Sequence, residues 1–144
     1  MRVSVIVAVV LLQAIYVSAG GPPDWVPPEM LEMVQGDKKR CMGEHGTSQA
    51  LIDEVNNGNL ADDRSIACYM HCMLDAFSLV DEEGNLETEM LLGVIPEQFL
   101  ELATELLNKC AVQEGADGCE KVFKIAKCVQ ATKPEVSRAV ISSR

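Results

Sequence analysis

Residues that build the active sites of hydrolases are scarce in this sequence. Only two histidines occur, and neither a G-x-S-x-G nor an H-E-x-x-H motif is present. Because a hydrolase needs a nucleophile paired with a base, or a metal-bound water, these absences argue against an enzyme. We therefore predict no catalytic residue and no cofactor.

Long apolar runs are also lacking, except for one at the N-terminus. Arg2 precedes the run VSVIVAVVLLQAIYV, and small residues surround the position after Ala19. This pattern is typical of a secretory signal peptide, and the run is too short for a membrane-spanning helix. We expect residues 1–19 to be removed and residues 20–144 to form a single secreted, extracellular domain with a C-terminal tail at 132–144.

Basic residues are outnumbered by acidic ones, 12 Lys and Arg against 22 Asp and Glu, which gives a net charge of −10. The predicted signal peptide contains one Arg and no acid, so the mature chain is more acidic by one charge. A strongly acidic protein repels phosphate backbones, and we predict no nucleic-acid partner. No N-x-S/T sequence occurs either, which argues against N-glycosylation.

Strand-like alternation of apolar and polar residues is absent, and helical patterns dominate. Six segments carry the caps or the apolar spacing of helices. We expect residues 43–46 to interrupt the first of them, the third to continue as far as Val80, and Pro96 to open the fifth. The sequence predicts an all-α fold, a compact bundle of about six helices.

Six cysteines follow the signal peptide, an even number that predicts three disulfides with 15 possible connectivities. Cys68 and Cys72 share a helix face, where β-carbons four residues apart are separated by about 5–6 Å, more than the ~4 Å of a disulfide. Cys119 and Cys128 are separated by about 13 Å of helix. Excluding these two pairs leaves ten connectivities open. In each of them Cys68 and Cys72 bond to different cysteines, so two disulfides join the third helix to other segments.

A metal site at the same stretch is a weaker interpretation. Cys68, His71 and Cys72 carry suitable donor atoms, but structural zinc usually needs a second closely spaced pair, and none is present. Thioredoxin-like chemistry needs Cys-x-x-Cys in an α/β fold. We predict no metal.

The cysteine spacing itself is distinctive. The pattern Cys41-x26-Cys68-x3-Cys72-x37-Cys110-x8-Cys119-x8-Cys128, in an acidic helical chain behind a signal peptide, resembles the six-cysteine insect odorant-binding proteins of the pheromone-binding and general odorant-binding type. The stretches CYMHC, PPEMLEM, VDEEGNL and IPEQF resemble the same family. The resemblance covers residues 22–133.

This resemblance implies a fold and a function. The fold would be six helices around an enclosed apolar cavity, with disulfides Cys41–Cys72, Cys68–Cys119 and Cys110–Cys128. The function would be non-catalytic, the reversible carriage of small hydrophobic odorants or pheromones through sensillum lymph towards a membrane olfactory receptor. A carrier of the same fold for a hormone, lipid or semiochemical in another body fluid is the main alternative. A disulfide-rich inhibitor is less consistent with amphipathic helices between the cysteines.

The resemblance and the helical spacing together suggest which residues contact a ligand, although an ordinary core role for each remains open. Val129 stands where related proteins often carry a large aromatic side chain, and aromatic residues are few, so we expect aliphatic or terpenoid-like ligands. The predicted lining residues are Met73, Phe77, Leu91, Ile95, Phe99, Ala103, Leu106, Phe123, Ala126 and Val129.

Three further expectations come from the resemblance. Ligand release at low pH would involve His45 or His71, since histidine is the side chain that normally titrates between pH 5 and 8. The apolar tail residues Val136, Val140 and Ile141 either fold over the mouth of the cavity or remain unfolded. The protein is expected to be a monomer or a weak homodimer.

Overall fold

A computed structural model describes residues 27–134 of the chain, and this part is helical. The predicted signal peptide and the tail residues Val136, Val140 and Ile141 lie outside the described residues. Within them, the only β-structure is a bridge between Val80 and Leu86. The prediction of an all-α fold with about six helices is confirmed. The helices are α1 Pro28–His45, α2 Gln49–Asn56, α3 Arg64–Ala76, α4 Thr88–Val94, α5 Leu100–Cys110 and α6 Gly118–Thr132, with a 3-10 turn Glu97–Phe99 before α5.

Three helices begin at polar side chains that accept hydrogen bonds from backbone N–H groups of the first turn. Ser48 accepts from Leu51 at the start of α2. Asp63 caps α3, and Asp117 caps α6 by accepting from the N–H of Glu120 at 3.0 Å. Such caps satisfy donors that have no partner inside the helix, and each is worth about 1 kcal/mol.

One predicted helix boundary lies within its expected range, and two were wrong. α1 continues through Gly43 and ends before Gly46, whose φ of 65° closes the helix in the left-handed conformation. A single exposed glycine costs a helix only about 1 kcal/mol, which its other residues offset. α3 ends at Ala76, because the chain turns at Ser78 with φ 56°. Pro96 opens a 3-10 turn, and α5 begins at Leu100.

Three disulfides join the helices: Cys41–Cys72, Cys68–Cys119 and Cys110–Cys128. These are the pairs that the resemblance implies. The first ties α1 to α3, the second ties α3 to α6, and the third ties α5 to α6. Helices α2 and α4 contain no cysteine and are held by non-covalent contacts alone.

α3 and α6 make the most extensive helix–helix contact of the described chain. Arg64 at the start of α3 makes a two-pronged ion pair with Asp117, one prong at 3.1 Å. One turn along α3, the Cys68–Cys119 disulfide holds the Cα atoms 4.5 Å apart. The Arg64 side chain and the N–H of Glu120 together lower the pKa of Asp117 to about 2. The two helices are therefore fixed by a charge pair and a covalent bond within two turns.

The main apolar core lies where α2, α3 and α6 meet. Ile66 is almost completely buried there, together with Ile52, Ala67 and Phe123. Thr47 is buried at the edge and donates its hydroxyl to the backbone oxygen of Ser65 at 2.9 Å, which joins the start of α2 to α3. The partly buried apolar residues around this core are Met42, Leu51, Val55, Leu60, Tyr69, Met70 and Cys119.

α4 lies apart from that core. It packs mainly against α5, and none of its seven residues is buried. None of the helices between residues 27 and 134 combines the length and the apolar character needed to cross a bilayer.

Candidate ligand site

The ten predicted lining residues come from α3, α4, α5 with its preceding turn, and α6. The structure places them in four different environments. Phe123 belongs to the main core, Leu106 is buried outside that core, and Phe99 is exposed. The other seven are half-buried: Met73, Phe77, Leu91, Ile95, Ala103, Ala126 and Val129.

Phe123 has the ordinary core role that the sequence left open. It is 6% exposed and packs in the cluster of Ile52, Ile66 and Ala67. The Lys127 ammonium lies 4.6 Å from the centre of its ring, one turn further along α6. Such a cation over an aromatic face stabilises the ring in place. Phe123 therefore helps to hold α6 against α3.

Leu106 and Ala103 lie on α5, which contacts both α4 and α6. Leu106 is 7% exposed but is not part of the main core, and Ala103 is half-buried one turn before it. α5 is fixed at its C-terminal end, where Cys110 bonds to Cys128 of α6. α5 therefore contacts α4 on the one hand and, through this disulfide and further contacts, α6 on the other.

The α6 and α3 members of the set are apolar but only half-buried. Ala126 and Val129 lie on α6, and neither belongs to the main core. Met73 lies near the C-terminal end of α3, and Phe77 is the residue that ends it. Ligand pockets are lined mainly by aliphatic and aromatic side chains, and half-buried residues outside a packed core can supply such a lining.

Phe99 differs most from the expectation. The spacing predicted an inward position on the fifth helix, whereas Phe99 lies in the 3-10 turn before α5 and is 47% exposed. The reason is local. The extended backbone at Pro96 starts a tight turn, which has three residues per turn, and this changes the direction of the side chain relative to an α-helix.

The two histidines have different surroundings. His45 is half-buried in the last turn of α1. The Nε2 atom of His71 is buried and has no hydrogen-bond partner within the described chain. It lies against Gly118, where an added β-carbon would come within 2.5 Å of Nε2. The position of His71 between α3 and α6 was not foreseeable from its spacing to the cysteines.

One group of potential metal donors is present among residues 27–134. Carboxylate, imidazole and sulfur atoms of Glu44, His45 and Cys72 lie within 4.8 Å of one another. The sulfur of Cys72 is bonded to Cys41, and a disulfide sulfur is not the thiolate that binds metals. Glu44 instead accepts from Arg40 at 3.3 Å. The donor set therefore has two usable members and does not fit a structural metal.

Comparisons with known proteins agree with this fold. The model of the PBP/GOBP family matches residues 24–132. General odorant-binding protein 69a of Drosophila melanogaster is 34% identical over 104 residues, which cover 72% of this chain and 70% of the relative. Both observations bear on the whole described structure.

Two solved structures show the same fold. The medfly odorant-binding protein CcapOBP22/CcapOBP69a superposes with a TM-score of 0.66 and 28% identity, over 76% of this chain and 96% of that one. A fatty acid binding protein, OBP56a from the oral disk of the blowfly Phormia regina, superposes with a TM-score of 0.61 and 22% identity, over 76% and 96%. Together with the cysteine pattern and the six helices, these matches show that the chain belongs to the PBP/GOBP family of insect odorant-binding proteins.

Proposed function

We propose that this chain is a secreted carrier that reversibly binds small hydrophobic odorants or pheromones in an apolar cavity. It would transport them through sensillum lymph to olfactory receptors. The observation that supports this most directly is the half-buried apolar surface of α3, α4, α5 and α6. Leu91, Ile95 and Val129 are half-buried outside the main core, where they are available to contact a ligand.

Family membership supports the non-catalytic part of the proposal. The PBP/GOBP family consists of odorant-binding carriers and not of enzymes. We infer that this chain has no catalytic activity and that its N-terminal 19 residues direct its secretion. The receptor as the destination of the ligand is part of the same proposal.

The physical basis of binding is the removal of apolar surface from water. Burial is worth about 25 cal/mol per Å², so a ligand that loses about 300 Å² of apolar area gains roughly 7 kcal/mol before the cost of immobilising it. Without that cost, a gain of this size would correspond to an affinity around the micromolar range. An incompletely filled interior costs stability, and the three disulfides offset that cost by constraining the unfolded chain.

Few aromatic side chains are available to stack on a ligand. Of the predicted lining residues only Phe77, Phe99 and Phe123 are aromatic, and Phe123 is occupied in the core. Aliphatic side chains make up most of the remainder, so we propose aliphatic or terpenoid-like ligands such as long-chain alcohols and esters.

Displacement of a fluorescent apolar probe tests the proposal. Ala103→Trp fills the space beside α5, and we expect it to weaken probe binding about tenfold or more, because the large ring occupies the volume of the ligand. Ala50→Trp makes the same change at an exposed position of α2 and serves as the control. Equal probe affinity in both variants would contradict the proposed site. Displacement by aromatic compounds alone, and never by long-chain alcohols or esters, would contradict the ligand class.

The same assay at about pH 7 and about pH 5 tests the role proposed for the histidines. If release at the lower pH depends on them, the double variant His45→Ala, His71→Ala will retain the probe. Unchanged release in the double variant would rule them out. Localising the transcript by tissue then distinguishes olfactory transport from carriage in another body fluid, because the physics of binding is the same in both.

A further inference from the structure

α4 carries apolar side chains on two of its faces. Leu91 and Ile95 are half-buried and belong to the proposed ligand site. Met90 and Val94 are also four residues apart, hence on one face, but they are 52% and 60% exposed. An amphipathic surface helix normally carries polar residues towards the solvent. The face of Met90 and Val94 is therefore an apolar surface that the described chain leaves more than half exposed.

The region around this face has a uniform charge. Between Arg64 and Lys109 the chain contains no Lys or Arg. The nine acidic residues in this interval are Asp75, Asp81, Glu82, Glu83, Glu87, Glu89, Glu97, Glu101 and Glu105.

Three of these acids lie between α4 and the middle of α5. Glu97 lies in the 3-10 turn, Glu101 and Glu105 are four residues apart on one side of α5, and all three are exposed. No cation between residues 27 and 134 pairs with them. Of the lysines on α6, Lys121 donates to Asn85 at 3.1 Å and Lys124 pairs with Glu120 at 2.9 Å.

Glu101 lies in the first turn of α5, where the helix dipole favours an acid, and Glu105 lies one turn before Lys109. None of the three glutamates makes an ion pair within the described residues, so their carboxylates are available to cations of another molecule. Protein–protein interfaces commonly combine an apolar centre with a charged or polar rim. The exposed apolar side chains and the unpaired carboxylates of this region match that combination, and the matching partner would be positively charged.

We propose that Met90, Val94, Glu97, Glu101 and Glu105 form a docking surface for a basic, amphipathic segment of another protein. Its apolar side chains would cover Met90 and Val94, and its Lys or Arg residues would pair with the three glutamates. Charge complementarity selects this partner. A second copy of a chain with a net charge of −10 would bring like charges together, and an anionic bilayer would be repelled. The proposal goes beyond ligand carriage, because the surface is separate from the ligand-lining residues of α4.

Fluorescence anisotropy with labelled model peptides tests this proposal on the full mature chain. The probe is a helical peptide of about 16 residues with Leu on one face and Lys on the other, and the comparison peptide has Glu in place of Lys. We expect the Lys peptide to bind at least about tenfold more tightly than the Glu peptide at low salt, with an affinity that falls as NaCl is raised towards physiological ionic strength.

Two variants and one control locate the surface. The first variant replaces all three glutamates, Glu97→Gln, Glu101→Gln, Glu105→Gln. It removes the three proposed ion pairs with the peptide, so we expect the affinity for the Lys peptide to fall about tenfold at low salt. Met90→Ala, Val94→Ala should weaken it about tenfold at both salt concentrations, because apolar burial is lost. The control Glu29→Gln, Glu32→Gln, Asp62→Asn changes the net charge equally at other exposed sites, and should change binding less than about twofold.

The outcomes separate this proposal from the carrier function. Binding of the fluorescent apolar ligand should remain unchanged in all these variants, because none of them alters a lining residue. Equal weakening by the control would mean that net charge alone attracts the peptide, and would overturn the proposal. Sedimentation velocity of the protein alone provides a second test. The protein could self-associate and lose this association in the double variant Met90→Ala, Val94→Ala. That result would assign the surface to a second copy of the chain and would also overturn the proposal.

Discussion

Gly84, Gly118 and His71 show how much a single residue decides in this fold. A β-carbon on Gly84 would collide with the backbone of Gly118, coming within 2.8 Å of its carbonyl oxygen, and Gly118 in turn lies against the ring of His71. The turn of residues 81–85, the start of α6 and the middle of α3 therefore meet without side chains between them. Asp81 holds the turn in shape by accepting from the N–H groups of Glu83 and Asn85.

Substitution at Gly84 should be costly for two reasons. Its φ of 79° is unfavourable for a side chain, and the backbone of Gly118 occupies the position of a β-carbon. Gly58 shares the first feature, with φ 87°, but has open space around it. We expect Gly58→Ala to cost about 1 kcal/mol of unfolding free energy and Gly84→Ala about 1–3 kcal/mol more, measured by chemical denaturation. Equal losses would show that the two segments do not approach so closely.

Among the helices, α3 and α4 differ most clearly in burial and in crosslinking. Four residues of α3 are buried, Ile66, Ala67, Cys68 and Cys72, and both of its cysteines are crosslinked. α4 has no buried residue and no cysteine. Since local opening is easiest where few apolar contacts must be broken, the two helices should differ in local stability.

Hydrogen exchange measures that difference. We expect the amides of residues 91–94 in α4 to exchange at least about tenfold faster than those of residues 68–72 in α3, after correction for intrinsic rates. Both sets are hydrogen-bonded inside helices, so the comparison isolates packing. Similar protection in both helices would mean that α4 is held by contacts with the rest of the fold.

The whole molecule is organised by overlapping crosslinks. The loop closed by Cys41–Cys72 contains Cys68, and the loop closed by Cys68–Cys119 contains Cys110. No part of the chain between residues 41 and 128 thus lies outside a covalent loop. This network lets the domain keep apolar side chains of α3 to α6 outside the packed core.

The crosslinks should differ in their contributions to stability. The Cys68–Cys119 loop spans 51 residues and the Cys110–Cys128 loop spans 18. Chain-entropy arguments give about 4 kcal/mol for the longer loop and about 3 kcal/mol for the shorter one. We therefore expect Cys68→Ala, Cys119→Ala to lower the unfolding free energy more than Cys110→Ala, Cys128→Ala, as measured by urea denaturation. A larger loss from the shorter loop would show that native contacts at α5, and not loop entropy, dominate.

Much of this architecture follows from local features of the sequence. The caps Ser48, Asp63 and Asp117 are polar side chains before apolar helical patterns, and such signals act within a few residues. The spacing of Cys68 and Cys72 excluded their pairing with each other, but geometry left ten connectivities open. Only the resemblance to a known family reduced these to the three pairs seen.

The boundaries and the burial were harder to foresee, because they depend on contacts between distant residues. The pattern of Phe99, Leu102 and Leu106 is helical, yet the turn opened at Pro96 leaves Phe99 exposed, and only packing determines that Leu106 is buried. Phe123 and Val129 both appear apolar on the same helix, and the position of α2 and α3 decides that only Phe123 joins the core.

The sequence alone thus determined the helical class, the cysteine pattern with its family, the acidic character and the positions of most helix starts. These depend on composition, on spacing and on hydrogen bonds within one turn. The tertiary structure decided which apolar residues are left half-buried, where His71 lies and which face of α4 is uncovered. Those properties arise from the packing of elements that are far apart in the chain, and a one-dimensional pattern does not contain that information.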